Sequence, residues 1–149
     1  MFVPIPSGSA GSGAIEKSLR FRASASAYLG KTLPSASGVT KSVISLWARR
    51  GTLGAYQSLF CLGGDTNNYG QLYFNVNDSL VIYATSGGTI VVNKISSAAF
   101  RDPAAWIHIY CAVDTTLATA EDRFQLWVNG VRTTSFSTNT NTWTQNSAF

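Results

Sequence analysis

Arg123-Phe-Gln-Leu-Trp-Val-Asn-Gly-Val-Arg-Thr-Thr-Ser-Phe136 is the stretch that decides the fold of this chain. Phe124, Leu126 and Val128 alternate with Gln125 and Trp127, the two-residue period that sends successive side chains to opposite faces of a strand. Asn129-Gly130 follows, a pair that tolerates the two positive φ angles of a type I′ turn. Val131–Phe136 is then expected to return as the partner strand. A turn this tight commits its neighbourhood to antiparallel β structure.

The same alternation extends outward from that hairpin. In Trp106–Asp114, Ile107, Ile109, Cys111 and Val113 oppose Trp106, His108, Tyr110 and Ala112, the pattern of a central strand. In Val43–Ala48, Ile44, Leu46 and Ala48 oppose Ser45 and Trp47. Leu72, Phe74 and Val76 oppose Gln71, Tyr73 and Asn75; after a turn at Asn77-Asp78, Leu80, Ile82 and Ala84 oppose Val81 and Tyr83, so a hairpin with one apolar face is expected. No stripe of period 3.6 occurs, and the best helical candidate, Thr119–Asp122, is a single turn. Residues 137–147 are almost wholly polar and are expected to form a loop anchored by Trp143. The fold class that follows is all-β: a two-sheet antiparallel β-sandwich.

The 149 residues suffice for one core and are too few for two. Residues 1–17, with Pro4, Pro6, Gly8, Gly11 and Gly13, read as a flexible arm, and 18–149 as the sandwich domain. Only 12% of residues are charged, which favours a surface of Ser, Thr and Asn. Residues 1–50 hold seven of the eleven lysines and arginines and one acid, Glu16, interleaved with apolar residues. That pattern fits a solvated edge, or a surface for an acidic partner, better than a phosphate-reading groove, so no nucleic-acid partner is expected. Cys61 and Cys111 sit in apolar runs and suggest small hydrophobes rather than a disulfide. No run approaches the ~18 apolar residues of a membrane span, so no membrane insertion is expected. The N-terminus lacks a secretion signal, which points to synthesis in a reducing cytoplasm.

Ser18–Arg22 with Ser26–Leu29, Ser42–Gly51, Phe100–His108 running into Ala112–Thr116, and Leu126–Val131 together resemble successive landmarks of the laminin G-like, or concanavalin A-like, jelly roll. The likeness is greatest to the variety found in virion surface proteins of tailed phages, and it covers about residues 18–145. It implies a fibre, collar, head-fibre or capsid-decoration protein located on the virion. Its partners would be other copies of itself and other virion proteins. A second implied role is an adhesin that binds host-envelope glycans. Members of the family usually continue into further strands. The sandwich is therefore expected to be incomplete at its C-terminus, its edge covered by another segment or by more chain.

Catalysis is not expected. A glycosidase would need two carboxylates about 5 to 9 Å apart, yet Glu16 and Glu121 are the only glutamates, and the adjacent Glu121 and Asp122 point to opposite faces of an extended chain. His108 is the sole histidine and lacks a Gly-x-Ser-x-Gly elbow to bring a serine to it. A zinc site needs three or four soft or imidazole ligands, so with one histidine and two separated cysteines none is expected. No cofactor is expected, apart from calcium at the oxygen-rich loop Gly64–Asn68, where Asp65 and Asn67 are the candidate ligands beside the plainer reading of a solvated turn. If the apolar alternates face the core, Trp47, Tyr73, Tyr83, Tyr110 and Trp127 lie on the other strand faces with Asn75, Gln125 and Asn129. Flat rings flanked by amides suit a sugar, and packing under loops or a second subunit is the competing explanation. Tyr73, Tyr83, Trp127 and Asn129 are the candidate carbohydrate-binding residues.

Overall fold

The computed structural model describes Gly30, residues 39–63 and residues 65–148. The arm, the first two landmark segments and Gly64 lie outside the described residues. Nine strands follow in chain order: β1 (Lys41–Arg49), β2 (Gln57–Gly63), β3 (Tyr69–Phe74), β4 (Ser79–Ser86), β5 (Thr89–Ala99), β6 (Trp106–Asp114), β7 (Phe124–Val128), β8 (Val131–Arg132) and β9 (Phe136–Asn141). Among the described residues the remaining element is a single 3₁₀ turn, Ala120–Asp122.

The strands form two wholly antiparallel sheets, one of four strands in the order β1-β6-β7-β8 and one of five in the order β2-β3-β4-β5-β9. Their inner faces share one core. Ala48, Ile107, Ile109, Cys111, Phe124 and Leu126 come from the first sheet, and Leu72, Phe74, Leu80, Ile82, Ala84 and Val92 from the second. The expected all-β sandwich is what the chain forms. The register places Ile44 opposite Cys111, Leu46 opposite Ile109 and Ala48 opposite Ile107, so every inward alternate of β1 meets one of β6.

Four local expectations need correction. Val76 does not continue the inner row of Leu72 and Phe74: β3 stops at Phe74, where the Asn75 side chain accepts the N–H groups of Asn77 and Ser79 and starts the turn. The strand after Asn129-Gly130 is only two residues long. After Thr133 N–H bonds Leu126 O (2.8 Å), the chain leaves that sheet and crosses to the other. Residues 137–147 form a loop only from 142 onward: Phe136–Asn141 is strand β9, which pairs along β5 from Val92↔Asn141 to Ser96↔Phe136. Amide side chains hold this strand in register, since Asn139 bonds Lys94 and Glu121 while Asn141 donates to Ala120 O. Beyond it, Trp143 packs on Phe124 (ring centroids 5.4 Å), and its carbonyl accepts Arg123 Nη1. The polar stretch joins the other sheet, so among the described residues β8 ends the four-stranded sheet and β9 ends the five-stranded one. Cys61, finally, is exposed, whereas Cys111 is buried and its thiol pKa is pushed up to about 12 by that burial; both are free.

One buried polar cluster fastens the end of the sandwich near the β3–β4 turn. Asp78, at φ 64°, accepts hydrogen bonds from Gly54 N–H (2.7 Å) and Arg50 Nη2 (2.9 Å), and Arg101 Nε lies 3.2 Å from its other oxygen. Arg50 is itself buried and also donates to the Phe100 and Thr52 carbonyls and to Gln57. Every donor of so buried a cation needs a partner, which fixes three loops around it.

Candidate functional site

Strand alternation sorts the outward side chains into two aromatic surfaces. On the four-stranded sheet, Trp47 pairs across with His108, Arg49 with Trp106 and Tyr110 with Trp127. Their rings touch: Trp47 and His108 at 4.9 Å, and Tyr110 and Trp127 edge-on at 5.2 Å. Trp47 is 65% exposed and Trp106 60%, high values for indoles on a sheet whose other face builds the core. On the five-stranded sheet, Tyr56 lies over Tyr73 (4.5 Å) and Tyr69 beside Tyr83 (5.8 Å), with Gln71 between the two pairs, its Nε2 bonded to Ser58 Oγ (3.3 Å). Burial, with added repulsion from neighbouring phenolates, raises the pKa of Tyr56, Tyr69 and Tyr73, so these hydroxyls stay protonated at neutral pH.

The four sequence-derived candidates therefore do not converge. Tyr73 and Tyr83 stand on the outer face of one sheet, and Trp127 and Asn129 belong to the other, with the core between them. Asn129 has a second duty. At φ 50° it forms the hairpin turn, and its Oδ1 accepts His108 N–H (2.9 Å) while its own N–H bonds His108 O (2.8 Å). Its backbone N–H and Oδ1 both help hold β7 to β6. Trp106 and Tyr69 escaped the candidate set although their alternation marks them as outward.

Ser45 Oγ lies 3.0 Å from His108 Nε2, which brings a hydroxyl to an imidazole. A nucleophile and base need a third group to orient the ring and donors to hold an oxyanion. Among the described residues no carboxylate bonds His108, and the pair lies open on a flat sheet. The Asp65 loop also has a local explanation. Asp65 Oδ1 accepts Asn67 N–H and Asn68 N–H, both at 2.8 Å, and the loop is tied to the β4–β5 turn by Gly88 N–H to Asn67 O and Gly87 N–H to Asn68 Oδ1. Among the described residues no three His, Cys, Asp or Glu side chains come together as a metal site.

Hollows lie among the described residues as well. One, of about 350 Å³, lies between the sheets behind Phe60 and Leu62 and is walled by Ile44, Val113, Phe124 and Trp143. Another, of about 210 Å³, lies on the β8 and β9 side, where Lys94, Glu121, Asp122, Arg132, Phe136 and Asn139 meet.

The fold and these surfaces define a two-sheet antiparallel β-sandwich with aromatic residues on the outer faces of both sheets. Compared with known proteins, the chain matches no family model, no curated protein and no solved structure.

Proposed function

We propose that this protein is a non-catalytic surface module of a tailed-phage virion that holds carbohydrate on the Trp47-Trp106 face of its four-stranded sheet. The observation that carries the binding is the exposure of two indoles on rigid, paired strands, with Ser45 and His108 beside them. An indole in water on a sheet loses apolar burial; one that stacks on the C–H face of a sugar regains it, while adjacent polar groups take the hydroxyls. Strand-borne rings are also already ordered, so little conformational entropy is lost on binding. The virion assignment rests on the likeness of the β1, β6 and β7 segments to phage laminin G-like domains. Other copies of the chain and neighbouring virion proteins are the partners this reading supplies.

A glycan array probed with the purified chain and with its Trp47→Ala variant tests the binding. Because Trp47 is mostly exposed, the variant should melt within about 0.5 kcal/mol of the parent. Its binding should fall about tenfold or more, by analogy with the ~1–3 kcal/mol lost when a stacking ring is removed from a base. Equal binding by the two proteins would remove the face from consideration, and immunogold labelling that finds no copies on particles would remove the virion.

A further inference from the structure

The smaller hollow has a composition unlike the aromatic faces. Lys94 occupies an inward position on β5, opposite Asn139 of β9, and is 2% exposed. Its ammonium donates to Glu121 Oε2 (2.9 Å) and to Asn139 Oδ1 (2.7 Å), while Asn139 Nδ2 donates to the same Glu121 oxygen (2.9 Å). The three side chains form a closed ring of bonds, with the ammonium also 5.1 Å from the centre of the Phe136 ring. Next to it, Arg132 Nη2 binds Asp122 Oδ1 (2.8 Å). Thr133 and Thr134 line the remaining wall.

Several properties of this arrangement narrow the ligand. Two cations are matched by two carboxylates, so the hollow is electrically neutral and offers no net attraction to an ion. Glu121, which lines the hollow, keeps its second oxygen, Oε1, without a partner among the described residues, on a side chain about half exposed to solvent. The bond from Lys94 lowers the pKa of Glu121, with Asn139 adding to the effect, so an ionised acceptor stands there at neutral pH. A volume of about 210 Å³ is on the scale of one small polyol ring. A buried lysine is an expensive way to fill a core position, and an apolar side chain of the same length would pack there without desolvating a charge. What the lysine adds is a fixed Glu121 carboxylate, and a preorganised acceptor loses little entropy on binding.

We infer that this hollow is a saccharide subsite, in which one neutral pyranose donates a hydroxyl to Glu121 Oε1, lays its C–H face towards Phe136 and is flanked by Thr133 and Thr134. The inference rests on the reading that the module's ligand is carbohydrate, and it adds a second place of contact, separate from the Trp47 face.

Amide-resolved NMR titration of the full chain with D-galactose, L-rhamnose and N-acetylglucosamine tests it. At least one sugar should shift the amides of residues 94, 121, 133, 134, 136 and 139. Glu121→Gln should weaken that sugar about tenfold by removing a charge-assisted bond. Thr134→Arg, at an exposed position on the rim, should block it by bulk without touching the Lys94 network, and Trp47→Ala should leave these shifts unchanged. Shifts confined to the Trp47 and Trp106 face would overturn the subsite and leave the proposed function standing. Shifts nowhere would overturn both.

Discussion

Asp78 shows how much of this fold depends on single side chains. It is buried at a left-handed backbone position, and its carboxyl pKa is lowered first by the Gly54 N–H bond and then by Arg50 and Arg101. Thr116 and Lys41 lower Asp114, and Lys94 lowers Glu121, in the same direction. A carboxylate whose folded pKa lies below its unfolded value stabilises the fold fully above the unfolded value, and that contribution disappears as pH falls through the folded one. Urea unfolding should therefore give constant stability from neutral pH down to about pH 5 and a steep loss below about pH 4. Asp78→Asn, which cannot ionise, should be less stable at pH 7 and should lose less on acidification than the parent. A variant curve parallel to the parent's would show that Asp78 carries none of the acid sensitivity. None of this was legible in the sequence, where Asp78 is half of an Asn-Asp turn, because its partners Arg50 and Arg101 lie 28 and 23 positions away.

Elements were legible in proportion to their apolar alternation. The runs at Val43–Ala48, Leu72–Phe74, Leu80–Ala84 and Trp106–Asp114 appear as strands because each has an unbroken inner row, and tertiary packing agrees with the local period. β5 is the longest strand and had no such row, since Lys94 and Ser96 stand at buried inner positions and disguise it as a polar segment. β9 was hidden for the same reason, its register being set by Asn139 and Asn141 rather than by hydrophobes. The turns differ in how strictly they specify residue type. Gly130 has φ 79° with nothing near an added Cβ, so Gly130→Ala should cost about 1 kcal/mol, from backbone conformation alone. At Gly63, φ 145°, a Cβ would sit 2.5 Å from Asn68 O, which is backbone and cannot swing away. Gly63→Ala should cost clearly more than Gly130→Ala in parallel urea denaturations. Equal costs would mean that the β2–β3 connection yields easily.

For the molecule as a whole, sequence could say that Tyr73, Tyr83, Trp127 and Asn129 point away from the core, but not that they point away from it on opposite sides. Period two distinguishes in from out; only the sheet order tells which outside. Placing β3 and β4 in one sheet and β7 in the other turns one imagined patch into two faces, back to back across a core about 10 Å thick. If the proposed carbohydrate binding extends to the tyrosine face, such a body would act as a rivet rather than a clasp: one copy would join two polymer strands without closing around one. Mixed with a long, repetitive glycan, the parent should raise light scattering to a maximum near equivalence and clear it again in excess, whereas Trp47→Ala, spoiled on one side, should coat the polymer without bridging it. Scattering that persists unchanged in the variant would count against this. On a particle studded with many copies, each weak contact would be multiplied by its neighbours through effective concentration, so that low affinity per ring is compatible with firm and still reversible adhesion.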